Sequence, residues 1–111
     1  MTESVHESIR QAVETYDVVL FMKGTPDFPQ CGFSSRAVAI LERLGASYAS
    51  YNVLDNPELR EGIKQFSNWP TIPQLYVKGE FVGGSDIVRE MFQSGELAAL
   101  MSEKGVALGE A

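Results

Sequence analysis

The chain has 111 residues, 44% hydrophobic and 22% charged, a size and composition that fit one globular domain over residues 1–111 and exclude wholesale disorder. Fifteen Asp and Glu outweigh nine Lys and Arg for a net charge of −6. The basic residues form no stripe, so phosphate-driven nucleic-acid binding and docking on an anionic membrane surface are not expected. A single cysteine, Cys31, excludes an internal disulfide framework and any metal site built from several cysteines of one chain.

The N-terminal MTESVHESIR has neither a basic n-region nor an apolar h-region, and Glu3 and Glu7 disfavour a transit peptide. With the lone thiol, this leads to the expectation of a cytosolic protein. Glu3 to Tyr16 reads as a helix with Val5, Ile9, Ala12, Val13 and Tyr16 on one face, and His6 on its exposed side. Asp17 to Lys23 (DVVLFMK) reads as a buried strand, and its apolar run, Val18 to Met22, is far too short to cross a bilayer. Residues 24–30 (GTPDFPQ) must be loop. From Phe33, the positions Ala37, Ile40, Leu41 and Leu44 keep helical spacing, and Gly45 ends that helix.

Ser47 to Val53 predicts a second strand, and Pro57 opens a helix to about Phe66. WPTIP, residues 69–73, is too proline-rich for regular structure. Leu75–Val77 and Phe81–Val82 flank Lys78-Gly79-Glu80 as a β-hairpin. A helix follows from about Asp86, with Ile87, Val88, Met91 and Phe92 facing inward, and a last one covers Glu96 to Lys104. Residues 105–111 read as a frayed tail. The order αβαβαββα, followed by the last helix, predicts a mixed four-stranded sheet, its first two strands parallel, flanked by helices on both faces: an α/β fold.

Cys31 falls between the proline-rich loop and a helix start. Unpaired N–H groups and the helix dipole favour thiolate over thiol there, and Lys23, at the end of the preceding strand, pushes the same way. A lone cysteine is more often an inert buried residue. Here its flanks, Gln30 and Gly32 with prolines nearby, argue for the reactive alternative.

Cys31-Gly32-Phe33-Ser34, preceded by Met22-Lys23-Gly24-Thr25-Pro26, resembles the active-site segment of the CGFS-type monothiol glutaredoxins. Trp69-Pro70-Thr71-Ile72-Pro73-Gln74 and Gly83-Gly84-Ser85-Asp86 resemble two further signatures of that family, in the same order. The resemblance implies a thioredoxin fold, glutathione binding, a subunit-bridging 2Fe-2S cluster and partnership with BolA-type proteins. One departure is Ser85, where many members carry a second cysteine.

By the same resemblance, Ser85 and Asp86 meet the γ-glutamyl end of glutathione. Asp86 either accepts from the ligand's ammonium or caps the helix. Ile72-Pro73 resembles a cis-proline loop that offers the Ile72 backbone to the ligand, though the sequence leaves the isomer open. Lys23 and Arg60 are the implied partners of the glycyl carboxylate. The apolar pattern turns Arg60 outward, as a solvated surface residue, and leaves Trp69 as core or groove wall.

Ser34 stands where a dithiol enzyme holds its second thiol, and a hydroxyl cannot resolve a mixed disulfide. A 2Fe-2S centre usually takes four thiolates. One chain offers Cys31 alone, so a homodimer and two glutathiones are needed to complete the set. Three functions compete: an iron–sulfur carrier for apo recipient proteins, a glutathione-dependent disulfide oxidoreductase or deglutathionylase using Cys31, and a BolA-binding module.

Overall fold

The computed structural model describes residues 2–109. Nine elements follow in chain order: α1 Thr2–Thr15, β1 Val18–Met22, α2 Gly32–Leu44, β2 Ala49–Asn52, α3 Pro57–Ser67, β3 Gln74–Val77, β4 Glu80–Gly83, α4 Ser85–Ser94 and α5 Glu96–Glu103. The strands form one mixed sheet in the order β2-β1-β3-β4. β1 runs parallel to β2 (Val19 opposite Ala49) and antiparallel to β3 (Leu20 opposite Leu75), and β3–β4 is the expected hairpin. This is the mixed four-stranded sheet that the element order predicts and the thioredoxin fold that the resemblance implies.

β1 organises the core because all five of its residues are buried. Alternate side chains serve opposite faces. Val18, Leu20 and Met22 pack with Ala37, Leu41, Val88, Leu97 and Met101 under α2, α4 and α5. Val19 and Phe21 pack with Ile9, Val13, Ile63 and Tyr76 under α1 and α3. Both sheet faces are thereby covered, which is why β1 reads as a continuous apolar run without alternation.

Several positions depart from the periodicity. Tyr16, Phe33 and Ile87 were expected on core faces but are exposed. Each lies at or beyond the end of its helix, and Phe33 and Ile87 line a cavity there. His6 is half-buried, not exposed. Its ring meets Phe66 edge-on at 6.0 Å, and its Nε2 has no hydrogen-bond partner among the described residues. The frayed tail is corrected as well: Val106 is 7% exposed and packs into the core. Gly109 N–H donates to the Leu44 and Gly45 carbonyls at the end of α2. Residues 110–111 of that expected tail lie outside the described residues.

A buried amide fixes the proline-rich loop. Gln74, fully buried, donates through Nε2 to the carbonyls of Trp69 (3.1 Å) and Thr71 (3.2 Å). Its Oε1 accepts from the Tyr76 hydroxyl at 3.3 Å. The segment thus borrows from one side chain the hydrogen bonds that a strand or helix would supply. Replacing Gln74 by Leu, of similar size, is expected to lower unfolding stability by about 1–3 kcal/mol, because the buried Tyr76 hydroxyl loses its acceptor and two part-buried loop carbonyls lose their donor; urea denaturation of both proteins checks this.

Candidate functional site

The site begins where β1 ends. Gly24 has φ +91°, and a Cβ there would lie 2.5 Å from the Phe28 carbonyl oxygen, so the turn needs glycine. Thr25 and Phe28 exchange backbone hydrogen bonds, Gly24 bridges to Pro29, and Gln30 N–H donates to the Lys23 carbonyl at 2.9 Å. This tight loop returns the chain beside Lys23 at Cys31. From the other side, the fully buried Ser34 hydroxyl accepts from Lys23 N–H at 3.0 Å. The Lys23 main chain is therefore clamped at both its polar groups.

Cys31 is the N-cap residue of α2, with extended φ −156° and ψ 136°, and its side chain is only partly buried. Burial pushes the thiol up, but this is outweighed. The backbone N–H groups of Ser34 and Phe33, the Lys23 ammonium and the Ser34 hydroxyl all favour the thiolate, and the thiol lies below its ordinary pKa. The position-based expectation for Cys31 therefore holds, and Ser34 adds a donor that the sequence reading did not assign.

An open cavity of about 480 Å³ runs beside the thiol, and Lys23, Cys31, Arg60, Ile72, Ser85 and Asp86 all line it. The residues singled out from the sequence, which come from five separate segments, are thus brought to one place. Arg60 corrects an expectation: it is half-buried in the cavity wall, not turned to solvent. Lys64, one helical turn further along α3, also lines the cavity and was missed. Its spacing of four from Arg60 was the available signal. Trp69 proves to be wall, 40% exposed.

The cavity is electropositive in an acidic protein, since Lys23, Arg60 and Lys64 face the single carboxylate of Asp86. Lys64 is paired with Glu61 at 3.3 Å. Lys23 and Arg60 have no carboxylate within 4.0 Å among the described residues. At the far end, Gly84 caps α4 without a side-chain bond, so Asp86 is not the N-cap. Ser85 Oγ is shut from solvent with no partner among the described residues. The Ile72–Pro73 bond is cis. Neither the N–H nor the C=O of Ile72 has a backbone partner among the described residues.

Comparison with known proteins decides the family. The glutaredoxin family model matches residues 18–82. The Saccharomyces cerevisiae protein named monothiol glutaredoxin-5, mitochondrial, is 55% identical over 93% of this chain and 71% of its own. This chain belongs to the monothiol glutaredoxins. Its fold superposes on a monomeric truncated mutant of Trypanosoma brucei 1-C-Grx1 with a TM-score of 0.87, at 43% identity over 96% of each chain. A buckwheat glutaredoxin solved in complex with glutathione gives 0.83, at 25% identity over 94% of this chain and 93% of that one.

The same comparison overturns the cytosolic expectation. Relatives from Lachancea kluyveri (52% identical over 99% of this chain and 79% of their own) and Schizosaccharomyces pombe (54%, 93% and 73%) carry the same mitochondrial name as the S. cerevisiae protein. A lone free thiol argues for a reducing compartment but does not say which one.

Removing the Lys23 charge tests the electrostatics at Cys31. In Lys23→Gln, the thiolate loses one stabilising charge, so the Cys31 pKa should rise. The pH profile of alkylation by iodoacetamide is expected to shift to higher pH, with slower reaction on its acid side and an unchanged plateau at high pH.

Proposed function

We propose that this monothiol glutaredoxin binds glutathione in the Cys31 cavity and carries a 2Fe-2S cluster between two subunits for delivery to apo iron–sulfur proteins. The carrying observation is the pairing of a thiolate-favouring Cys31 with two uncommitted cations, Lys23 and Arg60, in one cavity. Glutathione has two carboxylates, an ammonium and a thiol. Lys23 and Arg60, with Lys64 beside them, suit its glycyl carboxylate. The free backbone groups of Ile72 suit its cysteinyl residue in a strand-like pairing. Ser85 and Asp86 suit its γ-glutamyl end, where the α4 N-terminus offers N–H groups to a carboxylate. The buckwheat glutaredoxin that binds glutathione shares this fold.

The cluster is cargo. Among the described residues no group of three or more His, Cys, Asp or Glu could hold a metal ion. What the chain offers is a single partly exposed sulfur at the cavity wall, which fits a shared site and not a site of its own. Cys31 would supply one thiolate per subunit and glutathione the remainder, to the usual total of four. Cluster-bridged homodimers and complexes with a BolA-type protein are the assemblies we propose.

A second reading draws support from the same thiol. A partly exposed cysteine below its ordinary pKa is a nucleophile, so Cys31 would also serve a glutathione-dependent disulfide oxidoreductase or deglutathionylase. With Ser34 buried, that chemistry needs glutathione as the second thiol.

Reconstitution without oxygen separates the readings. Iron, sulfide and glutathione are expected to give a coloured dimer with visible absorption, lost in Cys31→Ser and reduced in Arg60→Ala. A colourless monomer, or full colour in Cys31→Ser, would falsify the carrier role. Robust turnover in a glutathione-coupled disulfide assay, with no cluster formed, would move the assignment to the oxidoreductase.

A further inference from the structure

One ion pair joins Asp86 of the cavity lining to a residue outside it. Arg36 Nη1 of α2 stands 4.0 Å from Asp86 Oδ1 of α4. That distance is too long for a hydrogen bond, and a pair this exposed, with side chains 39% and 75% accessible, contributes little to stability. Neither charge is consumed by the other. The guanidinium carbon also lies 5.8 Å from the centroid of the Phe33 ring, a contact that favours one orientation of the planar fork. Phe33 and Asp86 both line the cavity; Arg36 stands outside that lining and flanks both of them. Next to Asp86, the Ser85 hydroxyl is buried and unpartnered among the described residues.

A cation and an anion held a short distance apart, each with hydrogen-bonding capacity to spare, do not complement a simple anion. They complement a zwitterion. An α-amino acid carries its ammonium and carboxylate on one carbon, close enough to meet both groups together. We propose that Arg36 and Asp86 jointly read the zwitterionic α-amino-acid head of the γ-glutamyl residue, Asp86 taking the ammonium and Arg36 sharing the carboxylate with the N–H groups of the α4 N-terminus. Arg36 is then a specificity determinant that distinguishes γ-glutamyl thiols from thiols lacking that head. The assignment rests on the glutathione reading above and adds a residue to it.

The probes are S-methylglutathione, which removes thiol chemistry, and its analogue with γ-aminobutyryl in place of γ-glutamyl, which lacks only the α-carboxylate. Each is titrated by NMR into the intact wild-type, Arg36→Ala and Arg36→Lys proteins. Arg36→Ala is expected to weaken S-methylglutathione about fivefold, as befits one charge-assisted contact at an exposed rim. It should leave the analogue's affinity unchanged, and Arg36→Lys should recover part of the loss. Thermal midpoints of the three proteins are expected to agree.

Equal weakening of both ligands, no weakening, or tighter binding in Arg36→Ala would overturn the assignment; tighter binding would mean that Arg36 merely competes for Asp86. If the wild type fails to bind S-methylglutathione at all, the glutathione reading falls and this assignment falls with it.

Discussion

The main chain of Lys23 is fixed from two directions: its N–H by the buried Ser34 hydroxyl and its C=O by the Gln30 N–H. The site depends on this double clamp. It ties the end of the central strand to the first turn of α2, so the Lys23 ammonium and the Cys31 thiol share one corner of the cavity. Each half of the clamp arises locally. Gly24 permits the reversal, the Thr25–Phe28 bonds close it, and Ser34 sits at the position of α2 that faces back toward the strand. Because the clamp uses backbone groups of Lys23, its side chain stays free to act as a charge.

That freedom matters in a chain of net charge −6. The overall field repels an anionic ligand, so attraction must be local. Three cations converge on the cavity while the acidic residues lie mostly elsewhere, and the low-dielectric wall of Ile72, Pro70 and Trp69 limits screening of their field. The single carboxylate in the lining, Asp86, lies at the end where the proposed ligand carries its only ammonium. The cavity therefore has a polarity along its length, and with it a preferred direction of binding.

The fold was legible in the sequence because its dominant signals are cooperative. Five consecutive apolar residues, a Lys78-Gly79 turn and a glycine helix stop each specify local geometry, and together they point to a mixed sheet covered on both faces. Phe33, Arg60 and Ile87, which the helical pattern misplaces, all line the cavity. Ile87 belongs to an apolar stripe, yet it occupies the first turn of α4, next to the end of β4, and borders the cavity. Arg60 is polar and looks outward on the α3 wheel, but what lies outward there is a groove and not bulk water. Periodicity separates core from non-core and carries no information on which non-core face lines a cleft. Val106 and Gly109 were illegible for a different reason: a short glycine-flanked tail has no periodicity, and its docking depends on the open carbonyls at the end of α2.

Ser34 links the fold to the choice between carrier and reductase. Its hydroxyl is buried, accepts from Lys23 N–H and favours the Cys31 thiolate, so it is engaged in holding the site together. A thiol at that position would make weaker hydrogen bonds and, as a resolving group, would leave Cys31 oxidised. With serine there, nothing within the chain competes for the Cys31 sulfur, and every partner it takes must come from outside. That condition suits a sulfur meant to share a cluster with glutathione and a second subunit and then to release it, since diffusible ligands can leave as readily as they arrive. The serine that removes self-sufficient redox chemistry is thus also the one that leaves the thiolate free for the outside partners that the proposed carrier role requires.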